Sequence, residues 1–273
     1  MSESVKVTVI GADGRMGRLI VQAIHEAGGI ELIGAVEANK AVTCNPVPGS
    51  EGRVFFTSSC SLNDDNGVKK FFHESDVFID VSSPEGIQNR IRLAEVVVKP
   101  LVIGTTGLSD DDRVYLKKSA KLIPIVLAPN FSVGANSMFK LVDEMVNILG
   151  PEYQVEIIET HHEMKRDAPS GTAKRLAEVV ADARGQRLID VACYGRSGMR
   201  DCRPEDEIGI HSLRVADVVG EHTITFFGRG ERVELTHRVT SRVAFAEGAV
   251  RAAKWIVRQK PGLYDMQDVL GLR

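Results

Sequence analysis

The chain has 273 residues, a net charge of −3 and 43% hydrophobic residues. This size suits one large domain or two modest ones, and the absence of a basic run argues against a general nucleic-acid binder. No apolar run reaches the roughly 18 residues of a membrane span, and the N-terminus lacks a signal core. Four scattered cysteines follow no redox or metal-ligand spacing. We therefore expect a cytoplasmic protein with reduced thiols and no membrane partner.

The first half of the chain alternates strand-like and helix-like segments. Short apolar runs predict buried strands at 5–10, 32–36, 77–81, 101–103 and 123–127. Helices are predicted between them, beginning with the apolar stripe Leu19, Ile20, Ala23 and Ile24 and continuing at 87–98 and 112–122. This rhythm predicts an α/β domain with a doubly wound parallel sheet, covering residues 1–129.

The pattern changes after residue 129. A helix is predicted at 136–149, a strand at 153–159 and a further helix starting at Pro169-Ser170. Three β-rich segments then follow without helices, the last two joined by a Gly228–Gly230 hairpin, at 210–215, 222–227 and 232–239. We expect an α+β domain with a mixed or antiparallel sheet over 130–242. The polar stretch 195–206 is expected to be a mobile loop.

The C-terminal segment 243–273 contains a helix, predicted at 244–258 from its apolar face. This helix could pack on either domain, and we assign it to the first.

A glycine turn follows the first strand and opens the first helix. Its spacing is G-x-x-G-x-x-G, from Gly11 to Gly17. Such glycines permit a tight turn and close approach of the backbone to a pyrophosphate. The turn therefore predicts a dinucleotide site, with candidate cofactor-binding residues Gly11, Ala12, Asp13, Gly14, Arg15 and Met16.

A carboxylate follows the second strand. Glu37 lies 20 residues after Gly17, where it could accept hydrogen bonds from both ribose hydroxyls of an adenosine. It would repel a 2′-phosphate, Ala38 carries no charge to offset this, and Lys40 is the nearest cation. These residues favour NADH over NADPH as the cofactor.

Two later loops also follow strands of the first domain and could line the same cofactor at the carboxyl edge of the sheet. Their residues are Gly104, Thr105, Thr106, Ala128, Pro129, Asn130 and Phe131.

The segment 159–173, ETHHEMKRDAPSGTA, carries the chemistry of the second domain. The imidazoles of His161 and His162 titrate near neutral pH and can transfer protons. The ammonium of Lys165 can hold a carboxylate or stabilise developing negative charge. At the predicted helix start, the backbone N–H groups of Gly171 and Thr172 can bind an anion. The segment therefore predicts a site for an anionic substrate beside an acid.

Several alternatives stay open within this segment. Adjacent strand residues face opposite ways, so one of the two histidines could be structural. Asp167 is expected to serve a turn rather than act as a base. The remaining histidines follow no ligand spacing, and we expect no metal site.

These residues resemble the 4-hydroxy-tetrahydrodipicolinate reductases (dihydrodipicolinate reductases) of the diaminopimelate route to lysine. The resemblance covers nearly the whole chain, through VIGADGRMG, FIDVSSPEG, VIGTTG, APNFSVGAN, ETHHEMKRDAPSGTA, GEHTITF and RVAFAEGAVRAAKW. It implies an NAD(P)H-binding Rossmann-like domain, a second domain for a cyclic dicarboxylate and a homotetramer formed through the second domain's sheet. Residues 39–55 differ from the family pattern, and we assign them no role.

By the same resemblance, His161 is the expected acid, His162 and Lys165 contact the substrate, and Gly171 with Thr172 binds one of its carboxylates. Some members carry an arginine after the ribose-binding acid, and Ala38 stands there in this chain. Two other functions are compatible with the dinucleotide end. One is a different Rossmann oxidoreductase acting on an amino-acid-derived carbonyl. The other is a nucleotide sensor without turnover.

Overall fold

The computed structural model describes residues 4–37, 56–57, 72–199 and 201–273. The chain divides into two compact units, Met1–Val133 with Val243–Arg273, and Gly134–Arg242. Ala38 and Lys40, on which the expected NADH preference partly depends, lie outside the described residues. The unassigned segment 39–55, Cys44 and Cys60 also lie outside them.

The first unit is built on a seven-stranded sheet in which every strand pair is parallel. Its strands are β1 (Val5–Ile10), β2 (Ile30–Val36), β3 (Phe56–Thr57), β4 (Val77–Asp80), β5 (Leu101–Ile103), β6 (Pro124–Leu127) and β12 (Gly262–Tyr264). Their order is β12-β6-β5-β4-β1-β2-β3. The chain therefore adds strands outward from β1 on one side, as β2 and β3, and then from β4 on the other side, as β5, β6 and β12. This is the doubly wound order of dinucleotide-binding domains, with one strand added at the edge. The predicted parallel sheet is confirmed.

Helices cover this sheet. They are α1 (Arg15–Glu26), α2 (Ile87–Val96), α3 (Asp110–Ser119), α7 (Val243–Ile256) and α8 (Met266–Leu270). Helix α7 shares a buried core cluster with α1, to which α7 contributes small residues such as Ala249 and Ala253 and α1 contributes Ile20. Three predicted helix ends are corrected, because α2 stops at Val96, α3 at Ser119 and α7 at Ile256.

The second unit pairs a five-stranded sheet with helices α4 (Val133–Leu149), α5 (Gly171–Ala183) and α6 (Leu188–Val191). Its strands are β7 (Gln154–His161), β8 (Ala192–Tyr194), β9 (Ile208–Arg214), β10 (Gly220–Phe227) and β11 (Arg232–Val239). Their order is β11-β10-β7-β9-β8. The first two pairs are antiparallel and the last two parallel, so the sheet is mixed, as predicted.

Strand β7 alternates between the two faces of this sheet. Val155 and Ile157 are fully buried in the core beneath the helices, while Ile158, on the opposite face, is exposed. Because side chains alternate along a strand, Glu159 and His161 point to the core face and Glu156 to the other. The strand continues two residues beyond its predicted end at Glu159, and this extension carries His161.

No helix in the described part of the chain is long and apolar enough to span a membrane.

Candidate active site

The glycine turn of the first unit is tightly packed. Gly11 has a φ of 81°, and a Cβ built on it would lie 2.8 Å from backbone atoms of Ser82. A Cβ on Gly17 would lie 2.0 Å from the carbonyl oxygen of Gly11. A side chain at either position would therefore displace backbone, so the sequence must have glycine there. The turn passes directly into α1, whose first residues are Arg15 and Met16.

The other predicted cofactor residues follow neighbouring parallel strands, so they share the carboxyl edge of the sheet. Glu37 follows β2, and its Oε2 accepts a hydrogen bond from the backbone N–H of Asp13 at 3.2 Å. A Cβ on Gly104, after β5, would lie 2.5 Å from the ring of Phe131, after β6. The residues present thus fit a dinucleotide, with close backbone approach at the turn and a carboxylate beside it.

A buried carboxylate, that of Asp80, fixes the loop after β4 and the loop after β5, and it was not predicted from the sequence. Asp80, fully buried at the end of β4, accepts hydrogen bonds from Arg90 Nε at 2.6 Å and Ser82 Oγ at 2.6 Å. The hydroxyl of Thr105 also donates to Asp80, at 3.0 Å. Arg90 in turn donates to the carbonyl oxygens of Ser83 and Glu85. The loops after β4 and β5 are therefore fixed by one ion pair.

In the second unit, a histidine and a carboxylate on the core face of β7 are in direct contact. Nδ1 of His161 lies 2.5 Å from Oε2 of Glu159. The side chain of His161 is 11% exposed, whereas that of Glu159 is fully buried. The pair lies at the end of the strand, where the chain turns toward Lys165.

Glu159 has further partners on both of its oxygens. Arg214, on β9, donates to Oε2 at 2.8 Å and to Oε1 at 2.9 Å. The backbone N–H of Ser170 donates to Oε1 at 3.1 Å. Burial alone would raise the pKa of Glu159, but the hydrogen bonds from His161 and Arg214 outweigh burial and hold it well below its ordinary range. The carboxylate is therefore charged at neutral pH.

Helix α5 begins after Ser170, where its start was predicted, and the backbone of Ser170 brings it beside the carboxylate of Glu159. Ser170 is the N-cap, and its Oγ accepts a hydrogen bond from the N–H of Ala173 at 3.2 Å. Gly171 and Thr172 are the first two helical residues, where N–H groups have no acceptor within the helix. A Cβ on Gly171 would meet no atom of the described residues within 4 Å, so these residues leave the space beside the helix start open.

The turn between β7 and α5 carries the other predicted residues. Lys165 Nζ lies 2.8 Å from Oδ1 of Asp167, so Asp167 pairs with the predicted cation. The side chain of Lys165 is 21% exposed. His162 follows the strand, half-buried, and its carbonyl oxygen accepts a hydrogen bond from the N–H of Lys165 at 3.0 Å. Arg214 donates to the carbonyl oxygens of Lys165 and Asp167, which ties this turn to Glu159.

A second histidine lies against the first. The rings of His222 and His161 are 5.1 Å apart, edge to face, and Nε2 of His222 lies 2.8 Å from Oγ of Ser170. Burial and the nearby His161 lower the pKa of His222 to about 3, so it is neutral at ordinary pH. Among the described residues, no three His, Cys, Asp or Glu side chains are grouped as metal ligands.

The sequence contains partial signals for the residues that the analysis missed here. Glu159 stands two residues before His161, which places both on one face of a strand. Ser170 was itself predicted at the start of the helix from the apolar run that follows it, and the structure makes it the N-cap. Arg214 and His222 carry no local signal, because only the register of β9 and β10 against β7 brings them to His161.

The strand order of the first unit and its glycine turn define a dinucleotide-binding domain, and the second unit adds a buried histidine in contact with a carboxylate. Comparison with known proteins identifies the family. The profile described as "Dihydrodipicolinate reductase, N-terminus" matches residues 5–131, and "Dihydrodipicolinate reductase, C-terminus" matches residues 134–270. The chain belongs to the dihydrodipicolinate reductase family, as its motifs indicated.

Curated relatives and a solved structure agree with this assignment. The 4-hydroxy-tetrahydrodipicolinate reductase of Syntrophus aciditrophicus is 46% identical over 98% of this chain and 99% of its own. That of Citrifermentans bemidjiense is 44% identical over 98% and 100%. The structure of a dipicolinate-bound dihydrodipicolinate reductase from Paenisporosarcina sp. TG-14 has a TM-score of 0.75 at 24% identity, over 97% of this chain and 98% of its own. The last likeness confirms the fold.

Proposed function

We propose that the cluster around His161 is the site at which this family member reduces 4-hydroxy-tetrahydrodipicolinate to tetrahydrodipicolinate, with NAD(P)H, in lysine biosynthesis. One observation carries the proposal. A single buried carboxylate, Glu159, contacts both a histidine and the first turn of α5, so an acid and an anion site are built together. The names of relatives that are 44–46% identical over 98% or more of this chain support the reaction.

The reaction needs a proton at a defined place. NAD(P)H supplies a hydride to the carbon end of a C=C–C=N system in the substrate. Electron density then moves to the substrate nitrogen, which takes up a proton. His161, as imidazolium, donates this proton, and the fixed charge of Glu159 stabilises the imidazolium beforehand.

Two groups hold the substrate's carboxylates. The N–H groups of Gly171 and Thr172 at the start of α5 bind one carboxylate, favoured by the helix dipole. Lys165 clamps the other, moving from Asp167 to the ligand, and His162 lies beside the bound substrate. The dipicolinate bound to the Paenisporosarcina enzyme, a cyclic dicarboxylate, supports this class of ligand.

Lys165 has two candidate jobs that kinetics separate. If Lys165 is a clamp that binds the substrate equally in the ground and transition states, Lys165→Met should raise KM and leave kcat near the wild-type value. If Lys165 instead stabilises charge that develops on the substrate, Lys165→Met should lower kcat. We propose the clamp, because the ammonium already pairs with a carboxylate, that of Asp167.

For the cofactor, we propose that the glycine turn from Gly11 to Met16 holds the pyrophosphate, and that 104–106 and 128–131 line the nicotinamide end. Glu37, beside Asp13, binds the ribose hydroxyls and favours NADH. The ratio of kcat/KM for NADH to that for NADPH tests this preference. Glu37→Gln should lower the ratio, because it removes the charge that repels a 2′-phosphate. An unchanged ratio would remove Glu37 from the explanation.

We also propose a homotetramer formed through the outer face of the second unit's sheet. Ile158, Leu213 and Phe227 are 43%, 45% and 38% exposed, and their strand positions alternate with those of core residues. Large exposed apolar side chains on one face favour association. Sedimentation velocity should show a tetramer, and Leu213→Glu should dissociate it. A monomeric wild type would contradict the assembly.

The reaction is tested by following the oxidation of NADH, and separately of NADPH, with substrate made in place from pyruvate and aspartate semialdehyde by the preceding synthase. We expect oxidation only when the synthase product is present. Oxidation with a different amino-acid-derived carbonyl, and none with this product, would favour another Rossmann oxidoreductase. Binding of NADH without any oxidation would favour a nucleotide sensor.

A further inference from the structure

We propose that Glu159 is the positioning residue for His161, holding Nδ1 of the imidazole so that Nε2 delivers the proton. This inference rests on the proposed function, in which His161 is the acid. It adds a residue that acts through the histidine, and it assigns the transferred proton to one of the two ring nitrogens.

The contacts of Glu159 leave the carboxylate little freedom. Oε2 binds Nδ1 of His161 and a nitrogen of Arg214, while Oε1 binds the N–H of Ser170 and the other Arg214 nitrogen. Each oxygen therefore has two donors at 2.5–3.1 Å. The side chain is fully buried, and a buried carboxylate fixed by a bidentate guanidinium keeps both its charge and its orientation. The imidazole that it binds is oriented in turn.

The other ring nitrogen faces a glycine. A Cβ built on Gly220 would lie 3.0 Å from Nε2 of His161 and 3.3 Å from Cδ2. Any side chain there would occupy a position at hydrogen-bonding distance from Nε2. Gly220 lies within strand β10, paired with Val239 of β11. We infer that the glycine is present to keep the approach to Nε2 open.

The other named neighbours of the ring are histidines and basic side chains, and the carboxylate of Asp167, in the turn after β7, pairs with Lys165. His222 on β10 contacts the ring edge to face, and His237 pairs with His222 across β10 and β11. Arg214 lies on β9, and Lys165 lies in the turn after β7. Glu159 supplies the negative charge that balances an imidazolium at this point. During the reaction the Nε2–H bond breaks and a substrate N–H bond forms, while the other proton stays on Nδ1 and keeps its hydrogen bond to Glu159.

The test compares Glu159→Gln with Glu156→Gln. Both residues are glutamates of β7 that bind a histidine and arginine, but they lie on opposite faces. We expect Glu159→Gln to lower kcat about 100-fold, within the range that general acid catalysis is worth. The alkaline limb of kcat/KM should move to lower pH, because the imidazolium loses its counter-charge, while KM changes less than about threefold. Glu156→Gln should leave kcat and that limb unchanged.

Equal losses of kcat in both glutamine variants, or an unmoved alkaline limb in Glu159→Gln, would overturn the positioning role. If Glu159→Gln does not fold, kcat and the alkaline limb of kcat/KM are measured in Arg214→Lys instead. Lysine keeps the positive charge but cannot bind both carboxylate oxygens of Glu159 as Arg214 does. Gly220→Ala provides an independent test: it should lower kcat without moving the limb, since the added methyl group crowds Nε2 and leaves every charge in place. An alanine variant with wild-type kcat would contradict delivery through Nε2.

Failure of the proposed function would be seen separately. If His161→Gln keeps its kcat, His161 is not the acid. The contact itself is then read from 15N-histidine spectra, in which Glu159→Gln should shift the Nδ1 resonance of His161. An unshifted resonance would remove Glu159 as the group that orients the ring.

Discussion

Two clusters of the same composition lie on strand β7, one on each face of the sheet. On the core face, Glu159 binds His161 and Arg214. On the opposite face, Glu156 binds His211 at 2.8 Å and Arg196 at 2.7 Å. Both carboxylates have lowered pKa values despite partial or complete burial. A glutamate, a histidine and an arginine in contact therefore do not by themselves define a site.

Their surroundings differ. Glu159 is fully buried and touches the start of a thirteen-residue helix. Glu156 is 18% exposed and binds a second arginine, Arg203, at 3.1 Å. Arg196 and Arg203 also contact Glu207, so this cluster ties the 195–206 stretch to the sheet. The described residues of that stretch, 195–199 and 201–206, were expected to form a mobile loop; they are irregular, and ion pairs of Arg196 and Arg203 anchor them. The core-face cluster lies beside the start of a helix, whereas the charges of the outer cluster pair with one another.

The largest expected effect distinguishes His161, in the core-face cluster, from His211, in the outer cluster. His161→Gln removes the proposed proton donor, so kcat should fall by about 10²–10⁴-fold. His211→Gln removes a histidine from the outer cluster and should leave kcat near the wild-type value. Steady-state oxidation of NADH with the synthase product measures both. A large loss of kcat in His211→Gln would break the distinction between the two clusters.

A second, smaller effect concerns the neutral histidine of the core-face cluster. The folded-state pKa of His222 is about 3, against 6.5 for a free side chain. Between these values the unfolded chain binds more protons, so His222 makes stability fall as pH drops below 6.5. One such group contributes up to about 1.4 kcal/mol per pH unit, or about 2 kcal/mol between pH 6.5 and 5.

Urea unfolding at several pH values checks this slope. His222→Asn removes the titrating group and should flatten the free energy of unfolding over the same window. Equal slopes for wild type and His222→Asn would mean that His222 is not held neutral in the folded protein.

The sequence predicted the main elements because their patterns are local. Buried runs such as Val77–Asp80 indicated strands, and the Ser170 cap with its apolar stripe indicated α5. The parallel and mixed sheets were confirmed. The short elements β8, β12, α6 and α8 were missed, since three to five residues are too few to show a hydrophobic period.

The ETHHEMKRDAPSGTA motif indicated the family, but the sequence did not indicate which distant residues contact Glu159 and Ser170. Arg214 is 55 residues from Glu159 in the chain, and His222 is 52 residues from Ser170. Only the parallel pairing of β9 and the antiparallel pairing of β10 with β7 bring them together. Asp80 and Arg90, near the dinucleotide turn, were missed for a related reason. Their buried ion pair depends on where α2 packs rather than on sequence spacing.

The smallest expected effect tests the outer cluster as a structural tie. Burial alone would raise the pKa of Glu156, but hydrogen bonds from Arg196, His211 and Arg203 lower it to about 2. Glu156→Gln should reduce the free energy of unfolding at pH 7 by about 1.5 kcal/mol, the low end for hydrogen bonds to a charged group.

The pH dependence of this loss identifies its source. Because the folded pKa is depressed, the contribution of Glu156 is fully present above the ordinary glutamate value of 4.5 and is lost as pH falls toward about 2. The gap in unfolding free energy between wild type and Glu156→Gln should therefore narrow below pH 4.5, over the range in which both stay folded. A gap that stays constant with pH would mean that Glu156 acts through packing rather than charge. The two clusters on β7 would then differ in chemistry as well as in role.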